Sequence, residues 1–145
     1  RYQIEVEGHL VQIAYSFSNS LFSQKLEGVY FEFLFDNSLT NNLTLAELQV
    51  LTAKLTDTID HNEQAFTHSG HSSLKWPLAT WYSRNVWQSG ATVAEMSASY
   101  YDYGENEANL SYLNFIFYDA GSAQAKERFT EAIKEIELLK AYDQP

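Results

Sequence analysis

The sequence predicts an α+β fold, an antiparallel sheet covered by two amphipathic helices in a two-layer or three-layer sandwich. Three observations carry this reading. The first 36 residues read as strands, a capped apolar stripe starts at Thr44, and three alternating segments between Leu78 and Tyr118 lead into a second striped helix. Strands with one apolar face and helices with one apolar stripe must bury each other, and layering is how they do it. At 145 residues the chain is sized for a single domain over 1–145. Such a chain buries about 68–70% of its unfolded surface, so it folds without metals or disulfides.

The opening strand is Tyr2–Val6, where apolar and polar residues alternate. Glu7-Gly8 supplies a turn, and His9–Tyr15 continues the sheet. Residues 19–27 read as a polar connection with room for a short helical turn. Gly28 then opens a strand from Val29 to Phe35, dense in the aromatic and β-branched residues that suit a pleated surface.

The next element has the clearest local signal. Thr44-Leu-Ala-Glu47 matches a capping box, in which the Thr hydroxyl and the Glu carboxylate each satisfy a backbone amide of the other. Leu43 and Leu48 occupy the positions of a hydrophobic staple. Leu48, Leu51, Leu55 and Ile59 recur at three- and four-residue spacing, which predicts a helix from Leu45 to about His61, with an extension toward Phe66. Ser69-Gly70 closes that region.

A three-stranded meander follows. Leu78–Trp87 reads as a strand and Ser89-Gly90 as its turn. In Thr92–Tyr101, Ala94, Met96, Ala98 and Tyr100 share one face, and Glu95, Ser97 and Ser99 the other. Asp102–Asn109 is a polar hairpin loop with Gly104. Leu110–Tyr118 alternates again, with Leu113, Phe115 and Phe117 together. After the turn at Asp119–Gly121, Ser122 caps a helix from Ala123 to about Tyr142. Its stripe is Ala125, Phe129, Ala132, Ile133, Ile136 and Leu138.

The capped helix from Thr44, the meander from Leu78, and the closing Phe115-Ile-Phe117 strand with its Phe129/Ile133/Ile136 helix resemble the PsbP-like α/β sandwich. A photosystem extrinsic protein, a nuclear-transport cofactor and many bacterial envelope proteins share that arrangement. The resemblance covers residues 28–141 and lies in element order and the terminal strand–helix pattern. It implies a binding or accessory role more than catalysis.

Charge bounds the partner. Lys and Arg number 9 against 19 Asp and Glu, a net charge of −10. Nucleic acid and anionic lipid both demand clustered cations, so neither is expected as a partner. Between Asn85 and Ala125 there is no Lys or Arg, but there are Glu95, Asp102, Glu105, Glu107 and Asp119. A surface of one sign promotes solubility and also steers a basic partner. No stretch is long and apolar enough for a membrane helix.

Candidate chemistry is sparse. No nucleophile elbow, phosphate loop or dinucleotide fingerprint is present, and no enzymatic activity is expected. Paired carboxylates occur at Glu5/Glu7 and Glu105/Glu107, as expected of solvated charges. His61, His68 and His71 cluster after the first helix; His68 and His71 are weak metal candidates, short of the four-ligand spacing of a structural site. The oxygen-rich loop from Asp102 to Asn109 lacks the EF-hand order for calcium. No cofactor is expected. The triplets at Asn42 and Asn109 match the glycosylation acceptor pattern, a pattern common by chance in a chain rich in Asn, Ser and Thr.

Two aromatic concentrations remain. Tyr101 and Tyr103 flank the acids Asp102, Glu105 and Glu107, which reads as a recognition hairpin. Trp81 and Trp87 share strand parity and offer either a partner-binding face or a pocket for a small apolar ligand. The first residue is Arg1 rather than Met, which fits removal of a secretory or lipoprotein leader. The absence of Cys fits the periplasm and the cytosol equally. The expectation is therefore a non-enzymatic envelope protein, periplasmic, secreted or lipid-anchored, that captures a basic protein. An immunity protein against a secreted toxin is its most concrete form. The alternatives are a carrier or sensor of a small apolar ligand and an accessory subunit of an envelope complex.

Overall fold

The computed structural model describes residues 2–19, 24–38, 42–61, 67–74, 81–104 and 107–143. Its elements are β1 (Tyr2–Val6), β2 (His9–Asn19), β3 (Gln24–Phe33), α1 (Leu45–Asp60), β4 (Thr67–Leu74), β5 (Trp81–Ser89), β6 (Thr92–Tyr101), β7 (Leu110–Asp119) and α2 (Ala123–Asp143). The strands form one seven-stranded sheet in the order β1-β2-β3-β7-β6-β5-β4. Every pairing is antiparallel, so two meanders meet where β3 pairs with β7. The fold is the α+β sandwich expected, with a helix on each face.

The first helix forms where its cap predicts. Thr44 Oγ1 accepts from the Glu47 amide at 3.1 Å, and Glu47 Oε1 accepts from the Thr44 amide at 3.2 Å. Leu48, Leu51 and Ile59 are buried against Val11, Phe33, Trp87, Met96, Leu113 and Phe115, with Leu55 packed beside them. The Trp87 indole N–H donates to Asp60 Oδ1 at 2.8 Å, tying the last turn of α1 to β5.

The second helix covers the opposite face. Ala132 and Ile136 are buried against Val86, Val93, Ile116 and Tyr118, with Ala125, Phe129 and Ile133 partly buried around them. Ser122 Oγ accepts from the Ala125 amide at 3.1 Å, the cap expected of it. Residue parity sorts the two cores. In β6, Ala94, Met96 and Ala98 face α1, whereas Val93 belongs to the α2 side.

Three local readings need correction. The connection expected at 19–27 is largely strand, because β2 runs to Asn19 and β3 starts at Gln24. Most of its residues are polar, but the ladder is made by backbone groups, and it continues past a bulge between Ser16 and Phe17 that shifts the register. Ser69-Gly70 lies inside β4, which adds a fourth strand to the expected meander. An edge strand of Ser, His and Thr has no apolar alternation to betray it, and Gly70 sits at its bulge. Leu138, assigned to the α2 stripe, is 58% exposed because two residues past buried Ile136 is a turn of about 200°, to the opposite side of the helix. The strand expected from Leu78 is present over Trp81–Ser89, and its residues 78–80, like the helical extension over 62–66, lie outside the described residues.

Candidate functional site

Antiparallel register places directly paired residues on the same face, so rows across the sheet can be read strand by strand. On the α2 face one row runs Gln3, Gln12, Glu32, Asn114, Ser97, Arg84, and the next Ala14, Tyr30, Ile116, Glu95, Val86. The β5 end of these rows is covered, because α2 lies chiefly over β4 and β5. The β1–β3 end is open: Leu10, Leu26 and Tyr30 are exposed at 45%, 45% and 38%.

A hairpin at one end of this face gathers the expected recognition residues. Tyr101 and Tyr103 stack with ring centroids 6.3 Å apart and planes within 9°. Tyr112 meets Tyr101 edge-on at 5.8 Å. Tyr103 is 53% exposed and Tyr112 44%, and Asp102 and Glu107 beside them are exposed. The loop that carries them is tied down. Asp102 Oδ1 accepts from the Gly104 amide at 2.9 Å, Glu107 N donates to Gly104 O at 3.3 Å, and Asn109 Nδ2 donates to the Tyr100 hydroxyl at 2.8 Å. Gly104 has φ 106°, a conformation that L side chains rarely adopt, so a glycine is required at this bend. Glu105 lies outside the described residues.

The tryptophans behave differently. Trp87 is fully buried, stacked on Phe115 at 6.5 Å, and bonded to Asp60. It therefore presents no surface to a partner, which corrects its assignment; parity with Trp81 places it on the α1 face, where the helix covers it. Trp81 is half-buried and packs against the same core. His68 and His71 lie on β4 rather than a loop, at register positions opposite Trp87 and Asn85, and their side chains lie outside the described set. Among the described residues no three His, Cys, Asp or Glu side chains gather as a metal would need.

A second polar feature lies where α2 meets the sheet. Glu95, only 3% exposed, accepts from Arg84 Nη2 at 2.6 Å and pairs with Arg128 Nε at 3.4 Å. Arg84 also donates to Ser97 Oγ at 3.1 Å and lies 3.7 Å from Glu135 of α2. Burial opposes the charge on Arg84, but Glu135 and Glu95 outweigh it and raise its pKa. The Arg128 guanidinium sits 5.2 Å from the centroid of the Tyr118 ring. Burial, reinforced by Glu95, pushes the Tyr118 pKa well above its ordinary value. Burial and Glu135 do the same for Tyr82, whose hydroxyl donates to Glu135 at 3.2 Å. These groups neutralise one another and fasten α2 to the sheet.

Sequence reasoning missed Tyr112 and Tyr30, and it counted Glu95 among the acids of a steering surface, whereas Glu95 is buried and paired with Arg84 and Arg128. Tyr112 was within reach: the Leu113/Phe115/Phe117 alternation puts it on the face opposite the α1 core, and hairpin register sets it beside Tyr101. Among the described residues no helix is long and apolar enough to cross a membrane. The chain matches no protein-family model, no curated protein and no solved structure.

Proposed function

We propose that this chain is a non-enzymatic binding protein that captures a basic protein partner through the β6–β7 hairpin. The observation that supports this most is the tyrosine trio of the hairpin, in which half-buried Tyr101 touches exposed Tyr103 and Tyr112, with exposed Asp102 and Glu107 alongside. Tyrosines held against one another lose little freedom on docking, so their contact area goes into affinity. Acids around them attract a cationic surface and raise the association rate. No Lys or Arg occurs anywhere from Asn85 to Ala125, so the field at the hairpin has one sign along the chain.

The PsbP-like reading, an envelope location and an immunity role against a secreted toxin belong to the same proposal. Each would place an acidic accessory protein next to a basic target. The carrier reading loses its main residue, because the Trp87 ring is filled by packing rather than lining a pocket.

The test is to immobilise the chain, capture its partner from the native extract, and measure kinetics on variants. Glu107→Lys should slow association and weaken its salt dependence. Tyr103→Ala should speed dissociation about tenfold or more, the change for a hot spot of ~1.4 kcal/mol. A partner whose kinetics neither variant alters binds elsewhere and sinks the reading.

A further inference from the structure

The α2 face of the sheet is half built. Alongside α2 two adjoining hollows, of about 360 and 410 Å³, share Tyr30, Ile116 and Arg128 as walls. They run from Leu26 and Glu27 at one end to Glu32 and Asn114 at the other. Their outer side is open sheet, where Leu10, Ala14, Leu26 and Tyr30 on β2 and β3 form an apolar strip crossed by the polar pair Gln12 and Glu32. Three of these four are more than a third exposed.

We propose that this groove receives an amphipathic, basic α-helix of the partner, laid beside α2 so that it completes the helical layer. The inference rests on the reading of the chain as a capturer of basic proteins and specifies what the partner inserts. Dimensions support a helix. Neighbouring strands lie about 4.8 Å apart, so the open width from β7 to β1 is roughly 14 Å. A helix with its side chains is about 10–12 Å across. Helices pack at about 8–10 Å, which seats the newcomer over β7 and β3 with α2 as its neighbour. The strip from Leu10 to Ala14 spans about 14 Å of strand, the length of roughly nine helical residues.

Charge supplies the second argument. Glu27 and Glu32 line the groove, Glu5 lies on the same face at its outer margin, and all three are exposed. None of these three makes an ion pair among the described residues. β1 and β2 contain no Lys or Arg, and from Leu26 onward neither does β3. The cations in the walls, Arg84 and Arg128, are both engaged by Glu95, and Arg128 also by the Tyr118 ring. An apolar strip with an acidic margin matches a helix carrying Leu along one stripe and Lys or Arg on its flanks.

The probe is an 18-residue Leu/Lys peptide of helical amphipathic period, with a scrambled peptide of equal composition as control. Amide shifts of the isotope-labelled chain and the helicity of the peptide are followed through a titration. The expected result is a peptide that becomes helical on binding, with shifts in β2, β3 and the first half of α2. The scrambled peptide should bind at least tenfold more weakly. Glu27→Lys combined with Glu32→Lys should weaken binding at least tenfold at unchanged melting temperature, whereas Tyr103→Ala should change it less than twofold. Equal binding of both peptides, shifts confined to residues 101–112, no binding, or sedimentation as a dimer with the groove closed by a second copy would each overturn the inference. The two readings fail separately: a dead groove with partner capture still sensitive to Tyr103 removes only the helix, and a live groove with a partner indifferent to Tyr103 removes the hairpin.

Discussion

The two ends of the sheet's α2 face make different use of the same architecture. Over β4 and β5 the face is sealed by α2, and beneath the helix lie Val86 and Val93 and the ion cluster of Glu95, Arg84 and Arg128. Over β1–β3 nothing among the described residues covers it, and Leu10, Leu26 and Tyr30 reach solvent. On the opposite face of the same strands Tyr2 and Tyr15 are 64% and 47% exposed. The covered end buries charge in compensated form. The open end shows apolar side chains and uncompensated acids. Exposed apolar patches mark sites of interaction, so the contrast sets the end that packs a helix apart from the end we propose for contact.

The largest expected effect tests the covered end. Glu95→Ala leaves Arg84 and Arg128 beside a vacant carboxylate site, and stranding one side of a buried ion pair costs about 3–5 kcal/mol. Glu32→Ala, on the same face but at the open end, should stay within about 0.5 kcal/mol. Urea denaturation of the two variants measures both, and equal losses would break the contrast. Next in size, Ile136→Ala empties a fully buried position under α2 and should cost about 2–5 kcal/mol by the same measurement. Leu26→Ala should cost less than about 1 kcal/mol, because its side chain is already 45% exposed.

The sequence announced elements that organise themselves and missed those that depend on a neighbour. The α1 cap was legible because Thr44 and Glu47 satisfy each other within one turn. The parity of β6 and β7 was legible because one face of each is apolar. β4 was not, since Thr67–Leu74 takes its conformation from pairing with β5 rather than from any pattern of its own. Of the hairpin tyrosines proposed to bind, Tyr101 and Tyr103 were legible as neighbours in sequence, and Tyr112 joined them only through hairpin register. Trp87 was misassigned because parity tells which face a ring takes but not whether a helix lies over that face. Glu95 was hidden for the same reason: only α2 brings in Arg128 and Glu135, thirty to forty residues downstream.

Alkaline titration sharpens the comparison further. Tyr82 and Tyr118, both under α2, have pKa values raised above the ordinary 10.0. Below pH 10 the folded and unfolded states both hold these protons, and the contribution to stability is full. As pH rises past the unfolded value, only the unfolded state releases them, so stability falls toward the folded pKa. Urea midpoints measured from pH 8 to 11 should fall above pH 10. Replacing Tyr82 and Tyr118 by Phe should flatten that fall.

The smallest expected effect on stability is at the hairpin. Tyr103 is 53% exposed, and its ring leans on Tyr101 rather than on either core. Tyr103→Ala gives up one stacked ring pair at the surface and opens no cavity, so the urea midpoint should shift by no more than about 0.5 kcal/mol equivalent. The turn should persist, because Asp102 and Gly104 hold it through backbone contacts that the substitution leaves alone. Asn109 and Tyr100 anchor its far side from within the sheet. A loss above about 2 kcal/mol would show that the tyrosine trio is part of the folding core. The hairpin would then belong with the covered end of the sheet, and its exposed rings would have a structural reason to be there.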